Sequence, residues 1–429
     1  MKRRDRAVKP LQGTASLPGD KSISHRALMA ATLAPGRSRI TNLNVAADVE
    51  ATAEVLTAVG GDVRIDRDNT QAEVDGCGWD GLREPEPVLD AGNSGTTLRA
   101  MLGICSAIPG LSVLTGDASL RRRPMLRAVV PLRQMGASID GRAHGDRAPL
   151  TVRGGPLRAV DVDLSVASAQ VKTAVLLAGL RAEGTTVVTE PAPSRDHTER
   201  MLAALGATLE RDGLSVSVRG GGDIRPLDVA VPGDVSSAAF LIVAAVLSPG
   251  SEIELIGVGL NPTRIGLLET LVDMGGSITW EATDGDHFEP AGSVWIEHSR
   301  LTGTDVVVSP SLMDEVPILC VAATQAEGRT RIRGGSELRV KESDRIEAMI
   351  DGLTKLGASV EPLEDGLVIT GPTPLQGGDV DPRGDHRIAL AFAIAGLISH
   401  DNVVVHGWSC VDTSFPEFLD VLGRLQDKR

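Results

Sequence analysis

The sequence predicts an α/β (α+β) fold of two similar domains, each built from three repeated β-α folding units. The first observation is a six-fold repeat. A short polar motif opens an apolar helix, a Gly- or Pro-marked turn follows, and a β-rich segment comes next. The helix openings read GDKSISHR from Gly19, GNSGTT from Gly92, SAQVKT from Ser168, GDVSSA from Gly233, MDEVPI from Met313 and GDHRIA from Gly384. With Asp20, Asn93, Ala169, Asp234, Asp314 and Asp385 as markers, the steps are 73, 76, 65, 80 and 71 residues. A period this long means folding units that bury their faces against one another.

The second observation is a second half in each repeat. Segments such as AEVLTAVGGDVRI, VVPLRQMGASID and ERMLAALGATLE run from an apolar helix through Gly into a strand. Glycine after the last apolar residue is the expected helix stop. The sixth such helix, FPEFLDVLGRLQ, is followed by no strand. The stretch KPLQGTASLPG near the start is expected to supply the missing one.

Length is the third observation, because 429 residues exceed one ordinary domain. Six repeats split as three plus three. The sequence Pro-Gly-Asp recurs near Pro18–Lys21 and Val231–Ser236, where the chain is expected to cross between halves. That predicts a discontinuous domain, 1–20 with 235–429, and an inserted domain, 21–234, with the active site in the cleft between them. Two such links can hinge, so ligand-driven closure is expected.

Composition excludes several function classes. Aromatics make up 2% of the chain and Tyr is absent, which disfavours base stacking on nucleic acid. A net charge of −14 disfavours a general polyanion binder, yet the Arg and Lys residues fall inside the motifs as local positive sites. Cys77, Cys105, Cys320 and Cys410 are far apart with no CxxC, so neither a zinc site nor a disulfide framework is expected. MKRRDR has no apolar stretch behind it, and AAFLIVAAVL is about half a membrane span. A cytoplasmic protein is expected, with no nucleic-acid or membrane partner. Gly76–Gly81 matches GxGxxG, but Pro85 and Pro87 follow where a helix would be needed, so it reads as a turn. No paired-His metal spacing occurs.

The remaining motifs are rich in cations at helix starts, where unpaired N–H groups and the helix dipole favour anions. In GDKSISHR, Lys21, Ser22 and Arg26 lie at a start, with Ser22 and Arg26 one turn apart. In GNSGTT, Asn93 and the small Gly95 admit close approach of an anion; a plain N-cap is the bland alternative. Arg121, Arg122 and Arg123 are adjacent, so at most one or two face a site. Ser168, Ala169 and Gln170, and then Ser194 and Arg195, form hydrogen-bonding sets that alone would pass for capping. In RVKESDRI, Lys341, Glu342 and Arg345 read equally as a site or as a helix salt-bridge ladder. His386 and Arg387 sit at another start, and Asp314 leads an apolar helix as a site residue or an N-cap.

Taken in order, LPGDKSISHRA, DAGNSGTT, TGDASLRRRPM, SAQVKTA, MDEVPI, RVKESDRI and GDHRIA closely resemble the 5-enolpyruvylshikimate-3-phosphate synthase family. The match runs from about Pro10 to Leu425. The resemblance implies the enolpyruvyl-transferase fold and transfer of the enolpyruvyl group of phosphoenolpyruvate to the 5-hydroxyl of shikimate 3-phosphate. The path is addition–elimination through a tetrahedral intermediate, on the shikimate pathway to chorismate and the aromatic amino acids. Such chemistry needs cations for two phosphates and two carboxylates, with an acid and a base.

Carried over by motif, Lys21, Ser22, Arg26, Ser168, Ala169, Gln170, Ser194, Arg195, Asp314 and Lys341 would hold shikimate 3-phosphate. Lys21, Asn93, Gly95, Arg123, Gln170, Glu342, Arg345, His386 and Arg387 would hold phosphoenolpyruvate, since arginine forks suit carboxylate and phosphate oxygens. Asp314, Glu342 and Lys21 would be catalytic, with Asp314 the base at the 5-hydroxyl and Glu342 the proton donor to the methylene carbon. No metal or organic cofactor is implied, and a monomer acting on small molecules is expected.

Two departures place the chain nearer the second class of the family. Thr413 stands where the best-known bacterial pattern has a lysine before Phe-Pro, and Glu337 stands where it has an asparagine. Some second-class members carry alanine at the Gly95 position and tolerate glyphosate; Gly95 is expected to leave room for the inhibitor. The alternatives are UDP-N-acetylglucosamine enolpyruvyl transferase, whose hallmark is a cysteine-bearing loop, and a noncatalytic anion-binding module of the same fold.

Overall fold

The computed structural model describes residues 8–283 and 288–427. The chain divides into two compact units. The inserted unit is Gly19–Val231, with Phe288 and Glu289 grouped to it; the other unit takes the rest and is discontinuous in sequence. Each has its own hydrophobic core.

Both units repeat one layout. In the inserted unit, helices Lys21–Leu33, Gly95–Ala107 and Ala169–Gly179 are buried along nearly their whole length. Helices apolar on every side belong in a core. A second helix in each repeat, Ala47–Ala58, Leu126–Met135 and His197–Ala204, leads into an antiparallel pair of strands. The discontinuous unit answers with inner helices Val235–Leu247, Val316–Gln325 and His386–Ile398, and outer helices Gly266–Asp273, Arg345–Lys355 and Phe418–Asp427. The first five outer helices end at Gly60, Gly136, Gly206, Gly275 and Gly357, each at positive φ, as a left-handed helix stop requires. Gly423 instead lies inside the Phe418–Asp427 helix, and no strand follows it among the described residues.

Five repeats build a four-stranded sheet with a parallel edge strand followed by antiparallel neighbours. In the first, Asp228–Ala230 runs parallel to Pro35–Thr41, which pairs antiparallel with Gln71–Cys77, itself antiparallel to Asp62–Asp66. The strands just before the two Pro-Gly-Asp sites are exchanged. Gln12–Ser16 precedes Gly19 but pairs with Glu252–Gly259, with Gln12 opposite Glu252. Asp228–Ala230 precedes Gly233 but pairs with Pro35–Thr41.

This exchange corrects one expectation. Gln12–Ser16 does not complete the sixth repeat, whose sheet stays two-stranded as Gly378–Val380 with Val403–Val405. The fourth repeat has given its own preceding strand to the inserted unit, and Gln12–Ser16 takes the parallel edge that strand would have filled. The Phe418–Asp427 helix packs against Gln12–Ser16 without pairing. Gly76–Gly81 forms the end of a strand and a single helical turn, not the start of a long helix. No helix among the described residues is long and apolar enough to cross a membrane.

Candidate active site

Capping fixes where the polar motifs point. Asp20, Asp234 and Asp385 cap their inner helices, accepting from the backbone N–H of Ile23, Ser236 and Arg387 at 2.9, 2.8 and 3.0 Å. In the second and third repeats the cap is a serine, Ser94 or Ser168. Asp314 departs from this pattern. It lies in a 3-10 turn, Met313–Glu315, ahead of its helix, where Glu315 takes the N-cap position, so the N-cap reading of Asp314 fails. Its carboxylate meets Lys341, Arg345 and Arg387 instead.

Three helix starts are tied together in the inserted unit. Lys21 Nζ lies 2.8 Å from Asp48 Oδ2. Arg26 is buried, and donates from Nη1 to the Ser22 carbonyl at 2.8 Å, from Nε to Thr198 Oγ1 at 2.7 Å and from Nη2 to Thr173 Oγ1 at 3.0 Å. These partners are neutral oxygens. Burial pulls the Arg26 pKa down to about 10, and the Arg195 charge adds to the fall while Glu199 opposes it. Arg195 Nη1 donates to Ser22 Oγ at 3.3 Å. The adjacent Ser194 is buried, and its Oγ has no hydrogen-bond partner among the described residues.

The segment carrying Ser194 and Arg195 is anchored at both ends by one buried cation. Lys172 Nζ sits 2.6 Å from Glu190 and 2.7 Å from Glu199, all three nearly sealed from solvent. Between them, His197 Nδ1 lies 2.7 Å from Glu289 Oε1.

At the Gly95 start, Gln170 is locked at both ends. Its Oε1 accepts from Arg99 Nη1 at 2.6 Å, and its Nε2 donates to Thr96 Oγ1 at 3.0 Å. Asn93 accepts from Arg123 Nη2 at 3.0 Å and donates to Asp117 at 2.7 Å. A Cβ at Gly95 would fall 2.8 Å from Arg99 Nη1 and 3.1 Å from Arg123 Nη1, so this glycine opens directly onto two guanidinium groups. Arg123 is buried while Arg121 and Arg122 are exposed, which separates the three adjacent arginines.

The discontinuous unit gathers a second set around Arg345, which is 2% exposed. Its Nη1 donates to Asp314 Oδ1 at 3.1 Å, its Nη2 to Glu342 Oε2 at 2.6 Å and its Nε to Asp385 Oδ2 at 2.8 Å. Burial alone would lower its pKa, but the carboxylates of Asp385, Glu342 and Asp314 outweigh that and hold it above the ordinary arginine value. Lys341 Nζ stands 3.5 Å from Asp314. The salt-bridge-ladder reading of RVKESDRI does not hold, because Asp344 caps the helix and Lys341 and Glu342 lie ahead of it. Arg387 Nη1 donates to the Asp314 carbonyl and to Glu315 Oε1, each at 3.1 Å, and its Nη2 to Ser236 Oγ at 3.2 Å. Thr413 Oγ1 donates to the Cys410 carbonyl at 2.8 Å and lies 3.3 Å from His386 Nδ1.

Each unit therefore carries a different chemistry. The inserted unit offers cations and helix N–H groups for anionic oxygens. The discontinuous unit offers three carboxylates gripped by one arginine, with a lysine and a second arginine beside Asp314. Sequence reasoning missed Asp48, Arg99, Ser236 and Glu315. Arg99 was detectable as one turn beyond Gly95, and Ser236 and Glu315 stand in the helix openings GDVSSA and MDEVPI; Asp48 becomes a neighbour of the site only through packing. Burial raises all four thiol pKa values, to about 12 at Cys105 and Cys320 and about 11 at Cys410. None is a poised nucleophile.

Comparison with known proteins shows which family the chain belongs to. The family model described as EPSP synthase (3-phosphoshikimate 1-carboxyvinyltransferase) matches residues 6–422. A 3-phosphoshikimate 1-carboxyvinyltransferase of Bacillus cytotoxicus is 46% identical over 422 residues, covering 98% of this chain and 99% of that protein. The protein of the same name from Desulforamulus reducens is 48% identical over 417 residues, covering 97% of each. Among solved structures, EPSP synthase from Acinetobacter baumannii superposes with a TM-score of 0.86 at 41% identity, covering 97% of this chain and 96% of that one. The enolpyruvyl transferase NikO from Streptomyces tendae shares the fold, with a TM-score of 0.78 at 20% identity over 98% of this chain and 96% of its own.

Proposed function

Because the chain belongs to the EPSP synthase family, we infer that it is a 3-phosphoshikimate 1-carboxyvinyltransferase. It transfers the enolpyruvyl group of phosphoenolpyruvate to the 5-hydroxyl of shikimate 3-phosphate and releases phosphate, on the route to chorismate and the aromatic amino acids. One observation carries the site reading: Asp314 and Glu342, the two groups a proton-transfer reaction needs, are held by the same guanidinium, that of Arg345.

In this reading the inserted unit supplies mainly anion-binding groups, and the discontinuous unit supplies the proton-transfer pair together with two further arginines. Lys21, Ser22, Arg26, Ser168, Ala169, Gln170, Ser194, Arg195, Asp314 and Lys341 hold shikimate 3-phosphate; the Ser194 hydroxyl, without a partner among the described residues, and the desolvated Arg26 cation favour an anion there. Gly95, Arg123 and Lys21, with Arg345 and Arg387, hold phosphoenolpyruvate, with Asn93 and His386 supporting the arginine and helix start beside them. Glu342 gives a proton to the methylene carbon as the 5-oxygen bonds to C2, and Asp314 takes the hydroxyl proton. In the second step a methyl proton returns to Glu342, the C2–O bond to phosphate breaks, and phosphate leaves with the proton from Asp314. The products are the enol ether and phosphate, and both carboxyl groups return to their starting protonation states.

The enzyme works in the cytoplasm as a monomer: its four cysteines are free thiols, and one chain supplies both sets of residues. The test is phosphate release from phosphoenolpyruvate with shikimate 3-phosphate, run beside UDP-N-acetylglucosamine as acceptor. Turnover with shikimate 3-phosphate alone is expected. Turnover with the sugar nucleotide alone would overturn the reading, and tight binding without turnover would favour a noncatalytic module.

A further inference from the structure

His25 lies in the first motif, between Ser22 and Arg26, yet no step above uses it. It is 1% exposed. Its Nδ1 is 2.6 Å from Thr52 Oγ1, on the Ala47–Ala58 helix. Thr52 Oγ1 is 2.6 Å from Thr97 Oγ1, on the Gly95–Ala107 helix. Thr97 Oγ1 donates to Ser94 Oγ at 2.7 Å, and Thr97 N–H donates to the same oxygen at 3.1 Å. Every member is buried. The chain of contacts thus joins three helices and ends on the residue that caps the Gly95 helix.

The hydrogens can be assigned in order. Thr97 gives its hydroxyl hydrogen to Ser94, so the short Thr52–Thr97 contact takes the hydrogen of Thr52. The contact from His25 to Thr52 must then use the imidazole Nδ1–H, leaving Nε2 bare. Nε2 has no hydrogen-bond partner among the described residues. A longer contact from Thr52 to the Asp48 carbonyl, 3.3 Å, is the weaker claim on its hydrogen. Burial first, then the charges of Lys21 and Arg26, push the His25 pKa well below its ordinary value, so the ring is neutral and the relay runs one way.

We propose that His25, Thr52, Thr97 and Ser94 form a buried relay that positions the Gly95 helix start for phosphoenolpyruvate. These are positioning residues, acting through the cap. That start is tied to the Ala169 helix by Gln170 and Thr96 on one side. The relay ties it to the Lys21 helix on the other. Arg26 holds the Lys21 helix separately, through Thr173 and Thr198. Breaking the relay therefore frees the phosphoenolpyruvate side while the shikimate 3-phosphate side stays anchored. The proposal rests on the reading of Gly95 given above.

Thr52 is the place to cut. Thr52→Val removes the hydroxyl with little change of shape, whereas Thr52→Ser keeps it. Steady-state kinetics are measured with each substrate varied against saturating partner. Thr52→Val is expected to raise KM for phosphoenolpyruvate about three- to tenfold, the loss of one net hydrogen bond. KM for shikimate 3-phosphate should stay within about twofold, and Thr52→Ser should behave as the unaltered protein. Equal rises in both KM values, or a serine variant as impaired as the valine one, would overturn the proposal in favour of simple packing. If Thr52→Val does not fold, Thr97→Val is read in the same way. Gly95→Ala separates the two levels: if it leaves KM for phosphoenolpyruvate unchanged, the reading of that helix start falls and the proposal with it. If Gly95→Ala raises KM and Thr52→Val does not, the relay alone is refuted.

Discussion

Arg345 donates from Nη1 to Asp314 Oδ1 at 3.1 Å, from the centre of a buried cluster that also contains Glu342 and Asp385. Carboxyl groups at such distances depend on this guanidinium, with Lys341 and Arg387 also beside Asp314, to offset their mutual repulsion. Arg345→Gln would leave them facing one another. The expected loss of stability is about 3–5 kcal/mol, read by urea unfolding at neutral pH. A loss below about 1 kcal/mol, the range of an exposed pair, would show that the cluster does not depend on Arg345.

The Gly95 position makes a steric claim. An alanine methyl there meets Arg99 Nη1 at 2.8 Å and Arg123 Nη1 at 3.1 Å, so both guanidinium groups must shift. Gly95→Ala is expected to weaken glyphosate inhibition by about tenfold or more, the discrimination one methyl gives in a tight pocket. It should raise KM for phosphoenolpyruvate as well. Inhibition curves at low phosphoenolpyruvate decide the matter. Full turnover of the unaltered protein in excess glyphosate would refute the role given to Gly95.

Arg26 makes a pH claim. The guanidinium is charged below its pKa, and burial lowers that pKa from the ordinary arginine value to about 10. Its attraction for an anion is therefore complete at neutral pH and is lost as pH rises through about 10. Affinity for shikimate 3-phosphate, titrated from neutral pH to about pH 11, should fall across that window. Arg26→Gln should lack this component. An affinity flat to the top of the range would contradict the assignment.

The thiols make a chemical claim. With Cys105 and Cys320 pushed up to about 12 and Cys410 to about 11, almost no thiolate exists near neutrality. Iodoacetamide at neutral pH should leave turnover intact over the time that inactivates a cysteine-dependent transferase. Rapid inactivation protected by substrate would point to the cysteine-loop alternative.

Much of this fold was legible in the sequence because its signals are local. Asp20, Asp234 and Asp385 cap the helices they precede, and the glycines from Gly60 to Gly357 stop them, through contacts within a few residues. The partner of Gln12–Ser16 was not legible, because two short strands exchange places over more than two hundred residues and neither carries a mark of its partner. The same limit applies to the site. Lys21 and Arg387 stand in motifs, but that Asp48 meets Lys21, and that Ser236 and Glu315 meet Arg387, is settled only in the folded chain. Asp314 was legible as a polar residue at a helix start, but its turn away from the cap toward Lys341 and Arg345 was not.

Asp314→Ala tests the central claim most directly, with phosphate release and shikimate 3-phosphate binding measured on the same preparation. If Asp314 is the base at the 5-hydroxyl, turnover falls by about 100- to 10,000-fold while the variant still binds shikimate 3-phosphate. Turnover equal to that of the unaltered protein would remove Asp314 from the mechanism.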